Sequence, residues 1–166
     1  DIPGAVIVNL SESNRNTAMA VFGQIDVDLG KSTTLSAALR HDRDERQQTD
    51  LLTGQSRDIT FSKTQPKLTV THKLSRDALV YATASTGFRS GGLNAPGLPD
   101  FRAETLNNYE VGSKNTLLGG AMVLNLALFE ARSKDFQYFY VDAARASQLI
   151  GNIDRVRMRG LDFDVR

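Results

Sequence analysis

The sequence has no cysteine and only two histidines among its 166 residues. No disulfide framework and no thiolate metal site can be drawn, and His41 and His72 stand in no spacing with carboxylates that suits a metal. An excess of either charge is also missing: 20 basic residues face 19 acidic ones, a formal net charge of +1. That balance removes the basic face expected of a nucleic-acid binder. Long apolar runs are absent, none approaching the roughly 20 residues a membrane helix requires. No charged n-region with an apolar h-region follows Asp1, so the expectation is a cytosolic protein or a mature or internal piece of an exported one. Ser36, His41 and Asp42 could be drawn as a nucleophile site, but no strand–turn–helix signature accompanies them. Neither an enzymatic reaction nor a cofactor is expected.

What the sequence does contain is alternation. In Thr17–Leu29, Val21, Gly23, Ile25, Val27 and Leu29 share one parity, against Phe22, Gln24, Asp26 and Asp28. Gly30-Lys31 makes a tight turn, and Thr33–His41 returns with Leu35, Ala37 and Leu39 opposite Thr34, Ser36, Ala38 and Arg40. Ile59–Leu74 is a third strand, in which Pro66 predicts a bulge or irregular spot. Leu79–Thr86, Glu104–Lys114 and Ala121–Phe129 follow, the last with Met122, Leu124, Leu126 and Leu128 on one parity. A helix would repeat its apolar positions at three and four; a period of two specifies strands with different surroundings on their two faces. Asp1–Asn16, with a short apolar run at Ala5–Val8, receives no role.

The connections are expected to alternate in length. Gly30-Lys31, Ser75–Asp77 and Leu117–Gly120 are short, whereas the segments 42–57, 87–102 and about 141–152 are taken as long loops. The fold class is therefore all-β: an antiparallel up-and-down meander, a partial transmembrane β-barrel wall of about seven strands, with short turns at one end and long loops at the other. The polar parity carries Gln24, Asp26, Asp28, Arg40, Lys67, Lys73, Glu110 and Lys114. Packing these inside a sandwich would cost several kcal/mol per unpaired ion, whereas a hydrated lumen avoids the cost. The alternative, a soluble β-rich binding or adhesion module, needs the charged faces outward and the leucine rows packed together.

In the last strand, Arg155, Arg157 and Arg159 share a parity with Leu161, Phe163 and Val165. The lipid face begins at Leu161, so an incomplete crossing is expected. With an odd strand count, which bacterial barrels do not close on, a fragment is expected: residues 1–166 as part of one barrel domain.

Three linked blocks carry a resemblance. They are Tyr81-Ala82-Thr83-Ala84-Ser85-Thr86-Gly87-Phe88-Arg89-Ser90-Gly91-Gly92-Leu93-Asn94, then Glu104-Thr105-Leu106-Asn107-Asn108-Tyr109-Glu110-Val111-Gly112, then Leu124-Asn125-Leu126-Ala127-Leu128-Phe129. In order and separation they resemble the barrel of TonB-dependent outer-membrane receptors. The resemblance implies a bacterial outer-membrane location and a 22-stranded barrel closed by an N-terminal plug, absent here together with the terminal strands. It also implies import of a scarce nutrient, first among them a ferric siderophore, with haem, cobalamin and oligosaccharides as other family cargoes. The implied partners are outer-membrane lipid, the small-molecule ligand, and the TonB complex acting through the missing plug.

If the ligand is an anionic chelate, cationic groups at the long-loop end are the candidate contacts. Arg89 is first, leaving its strand beside glycines read as flexible; Arg43 and Arg46 of the 42–57 segment come next. That segment is otherwise an ordinary solvated loop. The Gly87–Gly92 stretch is not a phosphate cradle, because prolines and a strand follow it where a helix N-terminus is needed. Phe136, Tyr138, Phe139 and Tyr140 suit a membrane-interface girdle, or else ligand stacking.

Overall fold

A computed structural model describes residues 11–143 and 147–166; the Ala5–Val8 run lies outside them. Its strands are β1 (Glu12–Asp28), β2 (Thr33–Asp50), β3 (Ser56–Lys73), β4 (Ala78–Arg89), β5 (Glu104–Leu117), β6 (Met122–Asp142) and β7 (Ser147–Val165). They form one sheet in sequence order, every neighbouring pair antiparallel. Apart from a single 3-10 turn at Leu118–Gly120, the described residues hold no helix. The expected meander is what forms.

The short turns rest on backbone that glycine supplies. Gly30 has φ +83°, and Gly119 and Gly120 have φ +64° and +100°, left-handed conformations that cost a Cβ-bearing residue energy. The ladders run without a slip, and register decides the face of every side chain. Ile25↔Ala37, Ala37↔Leu68, Val111↔Leu128 and Leu126↔Phe163 share the apolar face. Asp26↔Ser36, Thr69↔Thr83, Thr83↔Glu110 and Asn125↔Asp164 share the polar one.

No second layer covers the apolar face. Val21 is 70% exposed, Ile25 69% and Leu161 64%, and among the described residues only Ala131 and Leu149 are buried hydrophobics. The packed leucine rows that a soluble sandwich needs are not there. The polar face is furnished instead with hydrogen bonds: Thr34 Oγ1 donates to Asp28 Oδ1 at 2.7 Å and Tyr81 Oη to Glu110 Oε1 at 2.6 Å.

The structure corrects several expectations. The polar 42–57 segment is not a long loop: β2 continues to Asp50, β3 begins at Ser56, and only residues 51–55 connect them. Likewise β6 runs to Asp142 and β7 starts at Ser147. The strict alternation in connection length disappears, and residues 90–103 remain as the one long connection among the described residues. The error was to require an apolar face of every strand. Beyond the membrane both faces of a hairpin are wet, and residues two apart on one face neutralise each other, as in Arg40–Asp42 at 2.6 Å and Arg43–Glu45 at 2.8 Å. About 9–11 residues cross the hydrocarbon, so the 21 residues of β6 project well above it.

Pro66 makes no bulge in the β2–β3 ladder, which passes through Leu39↔Pro66 in register. The irregularity is on the other edge, where β3–β4 pairing stops at Lys67↔Ser85, one residue past a proline with no N–H to donate. The lipid face expected to begin at Leu161 and to be incomplete runs instead to the short-turn end of β6. Leu161, Phe163 and Val165 stand opposite Leu128, Leu126 and Leu124, and Arg166 exchanges both main-chain hydrogen bonds with Val123 at 3.0 Å.

Candidate functional site

Where β3 and β4 part, the 90–103 loop turns inward and lies across the polar face of the extended strands. It is tied to both sides. On the β2–β3 side, Arg57 donates from Nε and Nη2 to Gln48 Oε1 at 3.0 and 2.7 Å, and from Nη1 to Asp100 Oδ1 at 2.9 Å. Arg57 Nη2 also donates to the Asn94 carbonyl, and Ser90 Oγ to Asp44. On the β6–β7 side, Gln137 Nε2 donates to the carbonyls of Ser90 and Arg102 at 2.8 and 3.1 Å. Asn152 grips Arg102 in both directions, accepting from its N–H at 2.7 Å and donating to its carbonyl at 3.0 Å.

The loop glycines permit this close approach. A Cβ on Gly91 would stand 2.4 Å from the Phe101 carbonyl and 2.5 Å from the Phe61 ring, and one on Gly92 would meet the Phe101 ring at 2.5 Å. These glycines are packed against the wall, contrary to the flexible hinge expected of them.

Between this loop and the inner face of β1 and β2 lies a polar cavity of about 400 Å³, lined among others by Asn14, Asn16, Arg46, Arg89, Phe101 and Gln137. Arg46 donates from Nη2 to Asp44 Oδ2 at 3.1 Å. With its amide oriented to satisfy both groups, Asn16 accepts from Arg46 Nη1 at 3.1 Å. The Nε of Arg46 is shielded from solvent and has no hydrogen-bond partner among the described residues. Arg89 ends β4 on the polar face, opposite Glu104. The Glu104 carboxylate is already engaged, by Ser133 Oγ at 2.7 Å and the Gln137 N–H at 3.1 Å.

Two of the three sequence candidates, Arg46 and Arg89, thus meet in one cavity. Arg43 does not join them: its odd parity on β2 turns it to the outer face, against Glu45. Asn94, Arg57 and Gln48, which tie the 90–103 loop to the wall, and Gln137, which also lines the cavity, went unnoticed in the sequence as lone polar residues in polar surroundings. The histidines face outward and pair with threonines, His41 Nδ1 with Thr64 Oγ1 at 2.9 Å and His72 Nδ1 with Thr33 Oγ1 at 2.8 Å. Tyr138 and Tyr140 stack at 5.3 Å. They stand beyond Arg132 and Lys134 on β6, whereas Tyr109 lies opposite Glu130, next above Leu128 on the outer face.

Over residues 1–166 the sequence matches the family described as TonB dependent receptor-like, beta-barrel. The chain belongs to the TonB-dependent receptor β-barrel family. Barrels of this family stand in the outer membrane of Gram-negative bacteria, and so does this wall. Among solved structures it is similar to the ferric yersiniabactin uptake receptor FyuA of Yersinia pestis, with a TM-score of 0.74 and 20% identity over 94% of this chain and 25% of that one. The ferric citrate transporter FecA, unliganded, gives 0.73 and 17% over 98% of this chain and 24% of its own. The copper transporter OprC gives 0.66 and 15% over 92% and 27%. The chain spans about a quarter of the length of these proteins.

Proposed function

We propose that this chain is part of the wall and outer mouth of an importer of a scarce nutrient, and that the nutrient is a ferric siderophore with anionic oxygens. The observation that carries the reading is the cavity holding Arg46 and Arg89, where a shielded guanidinium N–H lacks an acceptor. An unmet buried donor costs about 1–3 kcal/mol, and an anionic ligand atom removes that cost. Two of the similar structures are named for ferric chelates; a third is named for copper, which makes a cupric complex the second cargo to test.

In this reading residues 1–166 are part of a larger barrel domain. Among the described residues, β1 and β7 each have a strand neighbour on one side only, and hydrocarbon does not tolerate open sheet edges. Further strands pair with those edges, outer-membrane lipid meets the apolar parity, and the TonB complex acts through a plug domain outside this chain. Transport makes and breaks no bond.

The test titrates the full-length receptor, wild type and Arg46→Ala, with an anionic ferric chelate, a neutral ferric chelate and a cupric complex. We expect the variant to bind the anionic ferric chelate about tenfold more weakly, a loss of roughly 1.4 kcal/mol, at an unchanged membrane level. Equal affinity of both proteins for all three probes overturns the assignment.

A further inference from the structure

The outer face of β6 and β7 carries a charge arrangement that transport through the lumen does not use. Register sets Glu130 opposite Arg159, Arg132 opposite Arg157 and Lys134 opposite Arg155. All six share the parity of Leu126, Leu128, Leu161 and Phe163, so they point away from the lumen. Five are cations and one is an anion, a local net charge of +4. The single carboxylate is divided among three guanidiniums, Arg132 at 2.5 Å, Arg159 at 2.7 Å and Arg157 at 3.4 Å. The Arg132 guanidinium also lies 5.8 Å from the centroid of the Tyr109 ring, whose face favours a cation.

Like charges directly opposite one another across a ladder are destabilising, and this hairpin has two such pairs in succession, Arg132↔Arg157 and Lys134↔Arg155. Elsewhere the outer face balances itself, as Arg43 does with Glu45. The imbalance starts just above Leu128 and Leu161, the upper members of the lipid-facing rows on these strands: the Glu130↔Arg159 row is balanced, and the two rows beyond it carry four cations. Phosphates of outer-leaflet lipids lie at that height, immediately outside the hydrocarbon. Guanidinium forks suit phosphate oxygens because they present two parallel N–H donors, and the side chains of Arg132, Arg157 and Arg159 are all more than half exposed.

We propose that the outward face of the β6–β7 hairpin, formed by Arg132, Lys134, Arg155, Arg157 and Arg159 around Glu130, is a clamp for the phosphorylated headgroup of an outer-leaflet glycolipid. Glu130 holds three of the guanidiniums in place while leaving the patch cationic. Tyr109 and Leu128 below it meet the first part of the acyl chains.

The experiment uses the full-length receptor in neutral detergent, with two probes: a bisphosphorylated glycolipid purified from outer membrane and the same lipid after enzymatic dephosphorylation. Binding is followed by native mass spectrometry and by titration. The wild type should bind the phosphorylated lipid at least tenfold more tightly than the dephosphorylated one, with an affinity that falls as salt rises. The triple variant Arg132→Gln, Arg155→Gln, Arg157→Gln should lose that preference, while Arg76→Gln in the short β3–β4 turn keeps it. Equal binding of the two lipids by the wild type overturns the proposal without recourse to any variant. So does a triple variant of unchanged β-sheet circular dichroism that keeps the preference, or inorganic phosphate binding as tightly as the lipid.

Discussion

The side chain of Asn94 is bonded to both main-chain groups of Ile150, 56 residues away. Its Nδ2 donates to the Ile150 carbonyl at 2.9 Å and its Oδ1 accepts from the Ile150 N–H at 3.0 Å. The same Nδ2 donates to the Pro99 carbonyl at 2.6 Å, which fixes the loop's own curvature. An asparagine amide thereby stands in for a strand at the place where the 90–103 loop crosses β7. Asn94→Ala should leave these groups unmet, at about 1–3 kcal/mol for the buried share of them. Hydrogen exchange in the full-length receptor should then speed up across residues 90–103 and around 150, with the lower wall unaffected. Unchanged protection there would mean the loop is held by its other ties, through Arg57, Ser90, Gln137 and Asn152.

Gly112 makes a second contact that no other residue could. A Cβ there would come within 2.6 Å of the Leu126 carbonyl and 2.7 Å of the Tyr81 ring, which lies over the glycine to bring its hydroxyl to Glu110. Because the nearer obstacle is backbone, the clash cannot be relieved by a rotamer change. Gly112→Ala should cost about 1–3 kcal/mol, seen as a lowered unfolding temperature. Tyr81→Phe, which removes only the hydroxyl, should cost less.

These two sites show how far the sequence could be followed. Strand number, order, parity and the short turns were legible because a period of two with lipid on one face constrains the membrane-level stretches, such as Val21–Leu29 and Met122–Leu128. The outer extensions were not, since Asp42–Asp50 has no apolar row to betray a strand and owes its form to pairing with β1 and β3 and to ion pairs two residues apart. The candidate site was half legible. Arg89 and Arg46 could be picked as cations near the mouth, but Arg43 could be excluded only once β2 was known to continue and parity could be carried past His41. Asn94, Gln48 and Gln137 gave no local signal, because their partners lie on other strands.

The membrane face has a direct test. Leu126 lies on the outward row between Leu124 and Leu128, whereas its neighbour Asn125 turns inward and donates to Asp164 Oδ2 at 3.2 Å. Leu126→Arg should destabilise the folded barrel by about 2–4 kcal/mol near the midplane. Asn125→Arg, facing water and carboxylates, should cost clearly less. Reversible unfolding in lipid measures both, and equal costs would place the two positions in the same medium.

At the β2–β3 turn, Asp50 accepts from the Leu52 N–H at 2.8 Å and from Thr53 Oγ1 at 2.8 Å. The backbone hydrogen bond, then that from Thr53, hold its carboxyl below the ordinary aspartate value. A depressed folded-state pKa means the stabilisation is present above the unfolded value of about 3.9 and is lost as pH falls through the lower folded value. Exchange at residues 51–55 should therefore accelerate only below that point, and Asp50→Asn should flatten the profile.

The last prediction separates the three arginines by function. Arg89 faces the cavity from the end of β4, opposite a Glu104 whose two oxygens already accept from Ser133 and Gln137. Among the described residues no ion pair engages Arg89, and Arg89→Ala in the full-length receptor should weaken binding of an anionic ferric chelate several-fold without lowering the unfolding temperature. Arg43, on the outer face and 2.8 Å from Glu45, can act only at long range. Arg43→Ala should slow association slightly at low salt and have no effect at physiological ionic strength, where the screening length is about 8 Å. The competing account is that Arg89 stabilises the rim through Glu104. It predicts the reverse pair of readouts for Arg89→Ala, an unchanged affinity and a lowered unfolding temperature, so one titration and one melt on the same preparation decide between them.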